Sequence, residues 1–233
     1  MGAEADLQNT AREGLNERKI ILQSKDFWEN CWQSENPEAM YACLDSYYRW
    51  EDGIIDVFRA HRVEKVCDAA CGYGAYSLAF ASNGFQVTSF DISPSAAEIT
   101  RRGLERYGIA AGVKAASILS TGYGDEVFDG VVAGSVLDHM TVADAQKALS
   151  ELYRITKPGG LILVSFDTAE ESDLEMAHER LSDGSLRYAE GTPRAGMIFH
   201  PYDRDGIVSL LKGKTVIYEQ TNRKGEQIRI VRK

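Results

Sequence analysis

From Val63 onward the chain alternates between short runs of strand-forming residues and longer segments whose apolar positions recur at helical spacing. The runs are Val63–Ala69, Phe85–Asp91, Val113–Ser117, Phe128–Gly134 and Leu161–Asp167. The sharpest helical period lies over 142–156, where Val142, Ala145, Leu149, Leu152 and Tyr153 fall on one face. Lys157-Pro158-Gly159-Gly160 then stops that helix and opens the next strand. Strands alternating with helices predict an α/β fold, a doubly wound and mostly parallel sheet covered on both sides.

The two ends depart from this rhythm. The first two dozen residues are polar and read as helical or mobile, and an aromatic-rich segment follows from Phe27 to Trp50. An apolar helical stretch then surrounds Ile54-Ile55 and Val57-Phe58, so residues 1–60 read as a helical, aromatic-rich cap on a domain spanning 61–233. Thr215–Gln220 and Gln227–Val231 read as two strands joined by Arg223-Lys224-Gly225, an antiparallel hairpin. Residues 168–200 look inserted, with a helix near 170–181 and a smaller hairpin around Gly191–Arg194.

Charge and composition narrow the partners. Lys and Arg number 26 against 35 Asp and Glu, a net charge of −9 that disfavours nucleic acid. No apolar run approaches the ~18 residues of a membrane span. The start lacks the positive region and apolar stretch of a secretory signal, and Asp6 stands where a myristoylation site expects Ser or Thr, so a cytoplasmic protein is expected. Cys31, Cys43, Cys67 and Cys71 form no CxxC pair and read as reduced thiols, not as a disulfide frame or a metal site.

The informative segment is Val66-Cys67-Asp68-Ala69-Ala70-Cys71-Gly72-Tyr73-Gly74, between a predicted strand and a predicted helix. Gly72 and Gly74 permit a tight turn and close approach of a ligand to the backbone. In such sheets ligands bind beyond the carboxyl ends of the strands, where strand order reverses. The next strand ends at Asp91, whose carboxylate can accept hydrogen bonds from both hydroxyls of a ribose. A glycine pair alone is shared with nicotinamide and flavin enzymes. Ser77, however, stands where dinucleotide binders carry a third glycine, which argues against a pyrophosphate ligand.

Over about 63–167 the chain resembles the class I methyltransferases that use S-adenosylmethionine (SAM). The resemblance rests on Asp68, on Cys71-Gly72-Tyr73-Gly74, on Asp91 and on Pro158-Gly159-Gly160, in family order and spacing. Ala70-Cys71-Gly72 and Gly84-Phe85-Gln86-Val87-Thr88-Ser89-Phe90-Asp91 look most like the small-molecule members, including glycine- and tellurite-type enzymes. The resemblance implies a seven-stranded sheet closed by the C-terminal hairpin. It implies a transferase that passes a methyl group to a small-molecule N, O or S/metalloid nucleophile, leaving S-adenosylhomocysteine. An RNA or protein methyltransferase and a SAM-binding sensor without catalysis are the alternatives.

By that resemblance Gly72 and Gly74 lie against the methionine part, with Ala70 and Cys71 lining the same loop. Asp68 serves the amino group, Asp91 the ribose and Ile92 the adenine. Ser117 stands where many members place an Asp, and Ser117-Ile118 would border the adenine; Gly134-Ser135 would border the sulfonium. His139 follows the fourth strand and is the candidate general base for a hydroxyl acceptor, against the competing reading of a packed junction histidine. Tyr48, His200 and Tyr202 are candidate substrate contacts. No metal is expected.

Overall fold

The computed structural model describes residues 25–50, 53–222 and 225–233. The first two dozen residues, and Arg223-Lys224 of the expected hairpin turn, lie outside these. Within them the chain order begins with helices α1 (25–34), α2 (Pro37–Leu44) and α3 (Gly53–Ala60). The core unit follows as β1 (Lys65–Ala69), α4 (Ala75–Ser82), β2 (Gln86–Asp91), α5 (Pro94–Arg106), β3 (Gly112–Ala115), β4 (Phe128–Ala133), α6 (Val142–Ile155) and β5 (Thr156–Phe166). The insertion holds α7 (Glu171–Glu175), β6 (His178–Arg180), β7 (Leu186–Tyr188) and β8 (Ile198–Phe199). The chain closes with α8 (Arg204–Leu210), β9 (Thr215–Thr221) and β10 (Gln227–Arg232).

Seven strands make one sheet in the order β3-β2-β1-β4-β5-β10-β9. β1 to β5 are parallel, and β10 runs antiparallel between β5 and β9. The order reverses between β1 and β4, so the carboxyl ends of those two strands frame the crevice. Side chains alternate across the sheet as the strand period of two requires. Cys67, Val131, Ile162 and Val164 pack under α6 and α8, where Ala145, Leu149, Leu152 and Ile207 meet them. Val66, Val132, Leu161 and Leu163 pack on the other face against Phe58, Phe80 and Phe85. The apolar stretch at Ile54-Ile55 thus belongs to the main core through α3.

Among the element boundaries that differ from expectation, three have a clear physical cause. β3 ends at Ala115, and Ser117 instead bridges to Ser120 in a turn. Sheet pairing restarts at Thr156, with a register shift before Leu161, so the Lys157-Pro158-Gly159-Gly160 excursion lies inside β5. It is tied down by the chain end: Gly159 N–H donates to Lys233 O and Lys233 N–H to Gly160 O. In the insertion the expected helix near 170–181 stops at Glu175. An Asp183-Gly184 turn lets 178–180 pair with β7, and ladder bonds then replace a helix continuation. The smaller hairpin at Gly191–Arg194 is present as the β7–β8 connection.

Candidate functional site

The loop leaving β1 is built around one carboxylate. Ala70 and Gly72 both sit at positive φ, 59° and 54°. The left-handed turn aims the Gly72 N–H back at Asp91, which ends the adjacent β2. Asp91 Oδ2 accepts from Gly72 N–H at 3.0 Å, and Oδ1 accepts from Ser93 N–H at 2.9 Å. Each oxygen keeps a lone pair for an external donor. Burial pushes the Asp91 carboxyl up, opposed by the backbone N–H groups of Ser93, Gly72 and Ile92. Thr100 Oγ1 donates to Gly72 O at 2.8 Å and fixes the far side of the loop to α5.

Asp91 opens into a cleft whose apolar wall is Phe90, Ile92, Ile118 and Leu119, with Ser117 beside them. Ser135, His139 and Asp144 supply its other polar groups, and no Lys or Arg lines it among the described residues. The mouth is covered by α1. Trp28 and Trp32, one helical turn apart, both line the cleft. The Trp32 ring lies so close to Gly72 that a Cβ there would be 3.1 Å from its Cζ2.

On the β4 side the backbone turns at Ser135 (φ 45°) into a 3-10 turn, Leu137–His139. Ser135 Oγ donates to Asp167 Oδ1 at 2.8 Å, and Asp167 N–H donates to Asp138 Oδ2 at 2.8 Å. His139 Nε2 lies 3.8 Å from Asp167 Oδ2. Burial pushes the imidazole pKa down, but Asp138 and Asp167 outweigh it and leave the His139 pKa raised. The imidazole in turn holds Asp167 below the usual carboxylate range. Nδ1 of His139 and Oδ1 of Asp138 are buried without a hydrogen-bond partner among the described residues. Three donor atoms of Asp138, His139 and Asp167 lie within 4.8 Å of one another, the composition of a cation site, although Asp138 Oδ2 is already engaged by Asp167 N–H.

His139 and Trp28 also line a second cavity, under the insertion. Phe27, Phe199 and Met197 form its apolar part; Asp167, Glu170, Asp173 and Glu226 face Arg194 across it. Arg194 is itself paired with Asp173 at 2.6 Å.

The fold thus brings Ala70, Gly72, Asp91, Ile92, Ser117, Ile118, Ser135 and His139 to one cleft. Other expected residues lie elsewhere. Asp68 is buried behind the loop, where Oδ2 accepts from Ser77 Oγ at 2.5 Å, and Ser77 shares a 2.8 Å bond with Ser89. Burial takes the Asp68 carboxyl up to about 7, against the hydrogen bonds from Ser77. Cys71 is buried with its thiol pKa pushed up by desolvation. Gly74 packs on Thr100, and Gly134 on Tyr76, whose Cε2 would be 2.5 Å from an added Cβ. Tyr48 stacks on Tyr107 at the surface, 4.9 Å between ring centroids. His200 hydrogen-bonds Ser185 and packs on Tyr202, whose ring also meets Phe166; neither His200 nor Tyr202 lines the two cavities. The reading missed Asp167, Glu29 and Arg194. For Asp167 there was a signal, since it ends a predicted strand as Asp91 does; for the other two there was none.

Residues 67–164 match the family model described as a methyltransferase domain. The chain is 30% identical over 118 residues to a demethylmenaquinone methyltransferase of Thermus thermophilus, covering 50% of this chain and 53% of that one. It is 32% identical over 106 residues to a malonyl-[acyl-carrier protein] O-methyltransferase of Serratia marcescens, covering 46% and 39%. The chain therefore spans about half the length, or less, of these curated relatives. Its fold is that of the Burkholderia thailandensis 1,6-didemethyltoxoflavin-N1-methyltransferase, solved with its acceptor and S-adenosylhomocysteine. The TM-score is 0.61 at 17% identity, over 96% of this chain and 89% of that one.

Proposed function

From the premise that residues 67–164 form a methyltransferase domain of the class I, SAM-dependent type, we propose that this protein transfers a methyl group from SAM to a small-molecule acceptor. The observation that carries this reading is the adjacency of two cavities, one organised by Asp91 and one under the insertion, with His139 and Trp28 common to both.

The first cavity suits the cofactor on its own chemistry. Asp91 has the lone pairs for a ribose diol, and Ile92 and Ile118 offer a flat apolar slot for a base. Walls without Lys or Arg among the described residues suit a ligand bearing an ammonium and a sulfonium better than one bearing phosphates. Asp68 supports the amino-group end from behind the loop. When bound, SAM supplies an electrophilic methyl on sulfur.

Methyl transfer is an in-line displacement, so the residues act chiefly by positioning; ~3–3.5 Å between nucleophile and methyl carbon is the productive range. The second cavity holds the acceptor between Trp28, Phe27 and Phe199. Among the described residues its carboxylates exceed its one arginine, which is already paired, and this favours neutral or cationic acceptors over anionic ones. A hydroxyl acceptor must lose its proton, and His139 takes it, with Asp138 and Asp167 stabilising the imidazolium. An acceptor that arrives as a neutral amine or an anion needs positioning alone.

The test is calorimetric titration with S-adenosylhomocysteine, followed by incubation with labelled SAM and a metabolite pool. Labelled small-molecule product is the expected result. Binding without any labelled product would leave a SAM-binding protein without transfer chemistry, and no binding would end the reading.

A further inference from the structure

Helix α1 covers the cleft through its aromatic side chains: Trp28 meets the His139 ring at 5.0 Å between centroids, and Trp32 packs against the cluster around Tyr41 and Leu44. None of its ten residues, 25–34, is buried. Phe27 touches the insertion core and Trp32 meets Tyr73 at 6.4 Å between centroids. Between them Glu29 makes the polar attachment. Its Oε2 accepts from Ser93 Oγ at 2.5 Å and from Ser95 N–H at 3.2 Å, and its Oε1 from Ser95 Oγ at 2.7 Å. Gln33, one turn on, adds a 2.8 Å bond to Oε1 from within the helix.

The place of this attachment gives it meaning. Ser93 is the N-cap of α5, accepting from Ala96 N–H at 3.0 Å, and its own N–H holds Asp91 Oδ1. A carboxylate there also meets the positive end of a 13-residue helix. Burial alone would raise the Glu29 pKa; Ser93 and Ser95 bring it down to about 2, so the anchor is charged throughout the working pH range. One bonded path therefore runs from the Asp91 carboxylate through Ser93 to Glu29, and along α1 to Trp28 and Trp32.

We propose that Glu29 is a positioning residue, the latch of a cover formed by α1. It ties closure of that helix to the state of the Asp91 loop. The same closure seals the first cavity and, through Trp28, completes a wall of the second. Ligand bound at Asp91 firms the Ser93–Ser95 turn and so strengthens the hold on α1, and an open cover lets ligand leave. The inference rests on the cofactor reading given above.

The experiment measures S-adenosylhomocysteine dissociation by stopped-flow tryptophan fluorescence, and amide exchange across 25–34 with and without that ligand. In the unaltered protein the ligand slows exchange in this helix. Glu29→Ala is expected to exchange fast in both states and to release the ligand roughly tenfold or more faster. Glu29→Gln keeps an acceptor oxygen and recovers part of the effect. Ser95→Ala removes the partner from the other side; its effect is expected to be non-additive with Glu29→Ala. Wild-type dissociation in Glu29→Ala and Ser95→Ala, or equal protection of 25–34 in all proteins, overturns the latch while leaving the cofactor reading intact. Failure of the unaltered protein to bind the ligand overturns the cofactor reading first.

Discussion

Asp91→Asn gives the sharpest test of the site, because the aspartate has two duties that the variant separates. In the free protein its oxygens accept one backbone N–H each, from Gly72 and Ser93, and so shape the glycine loop. In the proposed cofactor complex the same oxygens receive the ribose hydroxyls. Asn keeps one acceptor oxygen and turns an amide against the other backbone donor. Losing a hydrogen bond to a charged group costs ~1.5–3 kcal/mol, roughly 10- to 150-fold in Kd for S-adenosylhomocysteine. Asp91→Ala removes both acceptors and leaves the Gly72 and Ser93 N–H groups unsatisfied at ~1–3 kcal/mol each where buried, so it is expected to lower Tm as well as affinity. Isothermal titration supplies Kd, and the thermal shift checks it, since ligand at 100 times Kd stabilises by ~2.7 kcal/mol. An Asn variant that binds with wild-type Kd would refute the reasoning, for the ribose would then be held elsewhere.

Four further outcomes are expected. His139→Ala slows a hydroxyl acceptor by ~10²–10⁴ and a neutral amine far less; equal losses would mean the imidazole is only structural. With hydroxyl acceptors the wild-type rate climbs as pH rises through the raised imidazole pKa, because the base must be neutral. For Asp68 the folded pKa of about 7 lies above the 3.8 of a free aspartate side chain, so the folded state keeps a proton that the unfolded state releases. Its contribution to stability is present below the lower value and lost as pH climbs to about 7. Ligand-free Asp68→Asn should therefore gain Tm relative to wild type between pH 5 and 8, and parallel Tm profiles would sink that account. Gly134→Ala places a methyl against Tyr76 and is expected to cost ~1–3 kcal/mol, read as a lowered Tm in scanning calorimetry; an unchanged Tm would show that the ring yields freely.

Much of the fold and half of the site can be read from order along the chain. Hydrophobic period separates strands from helices because burial on one face or one stripe is local information, and it places the β1 loop and Asp91 at neighbouring strand ends. Ser77 shows the limit of that reading. Its departure from a third glycine argues against a dinucleotide pattern, but its bond to Asp68 depends on α4 lying over β1. The insertion shows another. Residues 176–181 have helical composition, and pairing with β7 makes His178–Arg180 a strand.

What the sequence determined by itself is the alternating α/β scaffold and the Gly72–Asp91 pair, since both follow from spacing within one βαβ unit. What only the tertiary structure decided is everything that crosses from one unit to another. Trp28 and Trp32 reach the cleft because α1 docks there; Glu29 meets Ser93 across 64 positions; and Asp138, His139 and Asp167 converge because β4 and β5 are neighbours. Such contacts depend on how the elements pack, and the spacing of residues along one segment carries no record of which distant segment will lie against it.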